Sequence, residues 1–142
     1  MFWDYSNQVL NKVNGCLNDK IKHGAIKFNI KNLESFELML RQKDDQYFKV
    51  TLIGNELVFD RSKMKNQVFG VERDQDSLNC IRRMPIFDLT NVTFEVIMDE
   101  FSLEFFVNGL SASFQIFNDV DADNINLSIE SSDCQYIKSL YE

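Results

Sequence analysis

The chain has 142 residues and a net charge of −7, and 44% of its residues are hydrophobic and 13% aromatic. This length supports one domain with its own core, and this composition excludes the intrinsically disordered class. The acidic charge disfavours nucleic-acid phosphates and anionic membrane surfaces, because both are bound largely through Lys and Arg. We therefore expect neither nucleic acid nor a membrane among the partners.

Cysteine usage indicates the compartment. Cys16, Cys80 and Cys134 are far apart and show no C-x-x-C spacing, which predicts free thiols rather than a disulfide framework or a zinc site. The first residues, MFWDYSNQVLN, lack the basic and apolar regions of a secretory signal. No apolar run approaches the roughly 18 residues of a membrane span. The expected location is the cytoplasm.

Residues 1–23 differ in pattern from the rest of the chain and predict an N-terminal helix or linker. Its apolar residues fall at helical spacing: Val9, Leu10, Val13 and Leu17. Ser6 is a suitable N-cap, and Gly15 follows Asn14 as a helix end. We predict a short helix over residues 6–14, followed by an irregular link.

From residue 24 onward the apolar residues alternate with polar ones, which is typical of β-strands with one buried face. The apolar phase of the first strands contains Ile26, Phe28, Ile30, Phe36, Leu38, Leu40, Phe48, Val50, Leu52, Leu57 and Phe59. Residues 62–77 are polar and weakly patterned, so we expect a loop there with one short strand at 68–71. Further strands are predicted at 78–84, 125–129 and 135–141.

The stretch from Val92 to Phe117 predicts three strands and two turns. Asp99-Glu100 lies between the first two strands, a spacing suited to a hairpin. Asn108-Gly109 follows the second strand and is the strongest short signal for a type I′ turn, which needs positive φ at both central residues. This stretch is predicted to supply the centre of the core.

About ten short strands separated by turns are typical of an all-β sandwich or barrel. The clean alternation favours antiparallel sheets with one solvated face. We therefore predict a lectin-like, antiparallel two-sheet β-sandwich over residues 24–142, preceded by the short N-terminal helix.

An acidic segment raises the possibility of a calcium loop. Asp119, Asp121 and Asp123 fall at positions 1, 3 and 5 of an EF-hand pattern, and Glu130 falls at position 12. Position 6 should be Gly and is Asn124, and the flanking segments predict strands rather than helices. The alternative is a solvated acidic loop, and we expect neither a bound metal nor a cofactor.

Catalytic constellations are poorly supported by the residues. Asp99 and Glu100 fit a hairpin tip, and Glu104 fits the polar face of a strand. His23 is the only histidine, and no hydrolytic triad can be built around it. Phe106 and Phe117 lie outside the buried phase, where they fit either a contact with a partner domain or a sugar-binding platform.

Two motifs carry a resemblance to a known family. Asp60-Arg61-Ser62 follows a strand, and a later hairpin contains Asp99, Ser102, Glu104, Phe106, Asn108 and Gly109. Over residues 24–140 this resembles the C-terminal β-sandwich module of glycoside hydrolase family 32, which includes invertases, levanases and sucrose-6-phosphate hydrolases. In that module the first motif is leucine-aspartate-arginine-serine, and the second is an aspartate-x-serine-x-valine-glutamate-x-phenylalanine-x-asparagine hairpin.

The resemblance implies an accessory role. The family's catalytic carboxylates lie in an N-terminal propeller, and none of its catalytic motifs occurs here. The resemblance therefore implies a non-catalytic module that packs on a β-fructofuranosidase propeller or forms homo-oligomers, and that is inactive by itself. A free-standing lectin-like module that binds carbohydrate is the alternative.

Overall fold

The computed structural model describes residues 9–12, 15–64, 81–100, 102–116 and 122–140. These contain twelve strands: β1 (Val9–Lys12), β2 (Cys16–Lys20), β3 (Gly24–Lys31), β4 (Ser35–Lys43), β5 (Gln46–Ile53), β6 (Glu56–Asp60), β7 (Ile81–Pro85), β8 (Asn91–Met98), β9 (Ser102–Val107), β10 (Leu110–Gln115), β11 (Asn124–Glu130) and β12 (Asp133–Leu140). No helix occurs in these ranges, and hence none that could cross a membrane.

The strands form two six-stranded antiparallel sheets. Sheet A has the order β1-β12-β3-β8-β9-β10, and sheet B has the order β2-β11-β4-β5-β6-β7. The predicted antiparallel two-sheet sandwich is therefore confirmed. The loops that connect the strands lie at the two opposite ends of the sandwich. We call the end that contains Arg41 and Arg61 the arginine end, and the opposite end, which contains the Gly54-Asn55 and Asn108-Gly109 turns, the hairpin end.

The core lies between the sheets and consists of the side chains that alternation places inward. Its largest fully buried members include Tyr136, Phe28, Phe48, Phe59, Phe94 and Phe105. Ring pairs join the sheets at several levels: Phe36 contacts Phe28 and Phe94 at centroid distances of 6.3 and 5.0 Å. Aromatic side chains bury large areas and favour tilted or stacked pairs, so this ladder of rings is the main apolar contact between the sheets.

The N-terminal helix is not found. Residues 9–12 of the predicted helix form β1, which pairs with β12, and residues 16–20 form β2, which pairs with β11. Residues 6–8, 13 and 14 lie outside the described residues. Helical spacing of four apolar side chains is a weak local preference, and two sheet edges with unpaired backbone groups outcompete it.

The turns of the central meander were predicted with mixed success. Asn108 and Gly109 both have positive φ, at 48° and 89°, as a type I′ turn requires. The reversal after β8 is longer than predicted, because Met98 pairs with Leu103 and the Asp99 amide donates to the carbonyl of Ser102. Asp99 and Glu100 are therefore only the first two residues of the connection, which runs over 99–101. The predicted strand at 68–71 lies outside the described residues.

Candidate functional site

The Asp60-Arg61-Ser62 segment links the two sheets at the arginine end. Asp60 closes β6 by accepting the Ser62 amide on its side-chain oxygen at 2.8 Å, which turns the chain sharply. Arg61 then extends from sheet B to sheet A, where its Nη1 donates to the carbonyl oxygen of Gln115 in β10 at 2.9 Å. The motif therefore serves as a structural tie.

A second arginine performs the same task from β4. Arg41 is only 3% exposed and lies at a β-bulge with a positive φ of 54°. Its Nη2 donates to the carbonyl oxygens of Lys22, in the link between β2 and β3, and of Asp99, in the connection after β8. Burial lowers the pKa of Arg41, whereas the charges of Asp123, Asp99 and Glu100 raise it. The guanidinium therefore holds the end of the sandwich together.

Asn108 acts as a clamp at the hairpin end. Its side-chain oxygen accepts the Thr93 amide at 2.8 Å, and its Nδ2 donates to the carbonyl oxygen of Asn91 at 3.3 Å. The turn after β9 is thereby fastened to the start of β8. An Asn at this position both adopts the left-handed conformation and satisfies backbone groups of the neighbouring strand.

The middle of the hairpin motif faces outward from sheet A. Glu104 is exposed and Phe106 is 38% exposed. Phe106 lies between Glu95 of β8 and Ser111 of β10. Burial raises the pKa of Glu95, against the lowering effect of Lys27. Glu95 and Glu104 lie on successive rows of this face, Glu95 opposite Phe106 and Glu104 opposite Ile97.

A polar groove of about 640 Å³ lies where β2, β11 and β12 meet. Asp19 is its fixed element, since Tyr136 donates its hydroxyl to Asp19 at 2.7 Å and Lys138 donates its ammonium at 3.0 Å. Burial raises the pKa of Asp19, but the bonds from Tyr136, Lys138 and the Lys20 amide outweigh it, and the pKa lies below its ordinary value.

We expect Asp19→Asn to make the melting temperature change less with pH in the acidic range. A carboxylate with a depressed pKa stabilises the folded state above its unfolded pKa of about 4, and this contribution is lost as pH falls through the folded pKa. The variant should therefore melt below the wild type at pH 7, and the difference should shrink below pH 4. Thermal unfolding from pH 2 to 8 measures this, and Asp45→Asn, in an exposed turn, is the control.

Apolar side chains are exposed beside the hairpin end. Phe87 is 88% exposed and borders two adjoining hollows. One, of about 330 Å³, lies between β7 and β10, with Met84 and Ala112 in its lining. The other, of about 390 Å³, is lined in part by Asn91 and Asn108. Exposed aromatic side chains beside apolar concavities are typical of interaction surfaces.

Comparison with known proteins identifies the chain. Residues 5–140 match the family model described as "Glycosyl hydrolases family 32 C terminal". The chain belongs to this family. No curated protein matches this chain by sequence.

Solved hydrolases contain the same fold as one part of a longer chain. Sucrose-6-phosphate hydrolase from Lactobacillus gasseri matches with a TM-score of 0.76 and 15% identity, covering 95% of this chain and 28% of that one. Exo-inulinase from Aspergillus awamori matches with a TM-score of 0.73 and 14% identity, covering 94% and 29%. The family 32 module therefore spans less than a third of these hydrolases.

A galectin has a similar fold at full length. Galectin LEC-6 from Caenorhabditis elegans matches with a TM-score of 0.59 and 16% identity, covering 98% of this chain and 99% of that one. The lectin-like architecture predicted from the strand pattern thus also occurs as a free-standing protein.

The structure separates the predicted site residues of the family 32 module rather than gathering them. Asp60, Arg61, Ser62, Asp99 and Ser102 lie at the arginine end, Asn108 and Gly109 lie at the hairpin end, and Glu104 and Phe106 lie between them on the outer face of sheet A. Several make backbone contacts that fix turns. The motif residues therefore do not converge on one pocket.

The acidic segment is only partly described. Asp119, Asp121 and Phe117 lie outside the described residues, so the calcium loop stays a prediction. Asp123 precedes β11 at the arginine end, whereas Glu130 ends β11 at the hairpin end and accepts a hydrogen bond from Ser35. Seven extended residues span roughly 20 Å, so Glu130 cannot complete a site at Asp123. Within the described ranges, no three His, Cys, Asp or Glu side chains converge on a metal-sized site.

Three features were missed by sequence reasoning. The alternation of Phe36, Leu38 and Leu40 with polar residues predicts a solvated Arg41, because a bulge that reverses the phase leaves no mark in the pattern. Asp19 was placed in an irregular link, since its partners lie more than 100 residues later. Phe87 was not noticed, because exposure of a single aromatic residue after a strand has no sequence signal.

Proposed function

We propose that this chain is a non-catalytic accessory module that packs on and stabilises the catalytic propeller of a β-fructofuranosidase. The observation that carries the proposal is the family match over residues 5–140, together with solved hydrolases in which the same fold makes up 28–29% of the chain. An enzyme acting on sucrose or sucrose 6-phosphate, in the manner of an invertase or sucrose-6-phosphate hydrolase, is the proposed parent activity.

A cytoplasmic location is part of this proposal. Cys16 is exposed and Cys134 is buried, and both are free thiols. Burial raises the pKa of Cys134 to about 11, so this thiol stays protonated and unreactive. An exposed free thiol at Cys16 suits a reducing compartment.

The surface around Phe87 is the proposed contact with the propeller. Its chemistry supports this assignment, since an aromatic ring exposed to 88% gains more from burial than any polar residue nearby. Pro85 and Asp88 border the same hollow as Phe87 and give the contact an apolar centre with a polar rim.

We expect Phe87→Ser to abolish packing on a propeller while leaving the isolated module as stable as the wild type. The measurement is the melting temperature of a family 32 propeller, expressed without its own module, with and without this chain. Wild type should raise it and Phe87→Ser should not. Leu140→Ser, an exposed apolar residue at the arginine end, is the control. If Phe87→Ser raises the melting temperature of the propeller as much as the wild type does, this surface is not the contact.

Activity assays test the non-catalytic character directly. The purified chain should release no fructose from sucrose or sucrose 6-phosphate at any pH. Measurable turnover that is proportional to the chain's concentration would overturn the proposal.

Carbohydrate binding is the second candidate function, and the polar groove favours it. Among the described residues, the side-chain amides of Asn18 and Asn124 make no hydrogen bond, while Asn126 donates to Gln42 and keeps its oxygen available. Planar amides suit sugar hydroxyls, which both donate and accept. Calorimetric titration with inulin, levan and β-galactosides tests this, and flat titrations throughout would exclude it.

A further inference from the structure

The Asn108-Gly109 turn is chemically reactive as well as structurally important. When glycine follows asparagine, no Cβ hinders the backbone nitrogen of the glycine from attacking the side-chain amide carbon of the asparagine. The chain has two such dipeptides, at 14–15 and 108–109. The space around Gly109 is open, since an added Cβ would meet no atom within 4 Å, and both residues of the turn are exposed. Water therefore reaches the reacting atoms.

The reaction at this turn is a deamidation, and water is its only co-reactant. The Gly109 nitrogen bonds to Cγ of Asn108, the Cγ–Nδ2 bond breaks, and ammonia leaves with the proton of the Gly109 amide. Water then opens the succinimide ring. Attack at the side-chain carbonyl carbon gives aspartate. Attack at the backbone carbonyl carbon gives isoaspartate, in which the main chain passes through Cγ and is one atom longer.

Two features of the fold hold this reaction back. The side-chain oxygen and Nδ2 of Asn108 are both occupied, by the Thr93 amide and the Asn91 carbonyl. Asn108 also has a φ of 48°. A left-handed residue has a ψ of about +47°, which places the next nitrogen on the far side of the Cα–C bond from the side chain. Ring closure therefore requires the turn and the clamp to open together.

Deamidation changes the surface beside Phe87. Asn108 lines the hollow of about 390 Å³ that Phe87 borders, so either product places a carboxylate there. Asp88 lines the same hollow, and hydrogen bonds from the Thr90 hydroxyl and amide lower the pKa of Asp88. After the reaction, two ionised carboxylates share this lining at neutral pH. A partner that covers the hollow must then bury or neutralise a second charge, which is unfavourable.

The clamp cannot form again after the reaction. An aspartate at position 108 still accepts the Thr93 amide, but it has no proton for the Asn91 carbonyl, which then faces a carboxylate oxygen. An isoaspartate lengthens a loop whose two residues fit the type I′ geometry. Lys31 donates to the Asn91 side chain and is exposed, where an ion pair adds little stability.

We propose that Asn108 is a one-way modification site, and that its deamidation adds a negative charge beside Phe87 and weakens the contact with a propeller. The effect on the contact rests on the proposed function, whereas the reaction itself does not. Each molecule reacts once and does not revert, because the ammonia is lost. The modified fraction therefore records how often the hairpin end has opened during the life of the protein.

Mass spectrometry of the full chain during incubation at neutral pH tests the reaction. In concentrated urea, residues 14 and 108 should be converted to aspartate and isoaspartate at similar rates. In the folded chain, residue 108 should react between about tenfold and a hundredfold more slowly than in urea, because only the locally open state reacts. Asn108→Gly keeps a flexible turn and should show no product at this position.

Two results would overturn the modification site. One is a folded chain that stays unmodified at residue 108 for more than about a hundred times the reaction time in urea. The other is an equal rate in the folded and the unfolded chain, which would show that the turn and the clamp do not control the reaction.

Asn108→Asp imitates one product in the propeller melting assay. The variant should need a roughly tenfold higher concentration than the wild type for the same rise in melting temperature, because the contact then buries an unpaired carboxylate. Asn55→Asp adds the same charge to an exposed turn at the same end, outside the lining of both hollows, and should act like the wild type. Asn108→Gly, which removes the clamp without adding charge, should lie closer to the wild type than Asn108→Asp.

The assay separates this inference from the proposed function. If the wild type raises the melting temperature of the propeller and Asn108→Asp raises it equally well, the charge does not weaken the contact and the proposal is overturned. If the wild type itself has no effect, the accessory function fails, and mass spectrometry alone then decides whether Asn108 is a modification site.

Discussion

Replacing Phe105 with Ala is expected to lower the free energy of unfolding by about 3–5 kcal/mol, the usual cost of emptying a buried aromatic site. Phe105 is fully buried in β9. Its ring contacts Phe48 and Phe59 of sheet B, at centroid distances of 5.5 and 4.8 Å, and Phe94 and Phe114 of sheet A, both at 5.8 Å. Removing the Phe105 ring therefore leaves a cavity between the sheets, and the four neighbouring rings lose their contact with it.

Phe106 supplies the matched control for this prediction. It is the next residue in the same strand, has the same side chain and points to solvent, with 38% exposure. Phe106→Ala should cost about 1 kcal/mol or less. Urea unfolding of both variants measures the difference. Because a domain of this size is stabilised by about 5–15 kcal/mol in total, equal losses for the two variants would show that the ring ladder is not the centre of the core.

Arg41→Ala is expected to cost about 3 kcal/mol, because the carbonyl oxygens of Lys22 and Asp99 lose their charged donor. The loss is partly offset, since the variant no longer buries a cation whose Nε has no hydrogen-bond partner among the described residues. The positive φ of 54° remains unfavourable in the variant, as Ala has a Cβ. Arg41→Gly should therefore be more stable than Arg41→Ala by about 1 kcal/mol, although it loses the same bonds.

Thermal and urea unfolding of both Arg41 variants check this prediction. Arg82→Ala removes an exposed arginine whose guanidinium lies 4.7 Å from the centre of the Phe114 ring, and it should cost about 0.5–1 kcal/mol. If Arg41→Ala is as stable as Arg82→Ala, the guanidinium does not hold the arginine end together.

Much of the sandwich was predictable from local alternation. The inward phases of β3 to β6, β8, β9 and β11 all follow the apolar pattern, because a period of two decides which side chains are buried once a strand forms. The Asn108-Gly109 turn was equally local, since positive φ at two residues strongly restricts the sequence. These elements are determined within a few residues of the chain.

The remaining features depend on contacts between distant parts of the chain. β1 and β2 are strands because β12 and β11 offer their edges, and the sequence of residues 9–20 by itself favours a helix. Asp19 becomes a fixed carboxylate only when Tyr136 reaches it. The motif residues were correctly identified as a hairpin and a strand end, but their distribution over both ends of the sandwich follows from the topology.

The position of the last two strands determines when this chain can fold during synthesis. β12 is inserted between β1 and β3, and β11 is inserted between β2 and β4. Each sheet therefore lacks its second strand until the final strands have left the ribosome, so β1 and β2 wait as unpaired, aggregation-prone segments. Completion then depends on pairings between the two ends of the chain, and such high contact order makes folding slow.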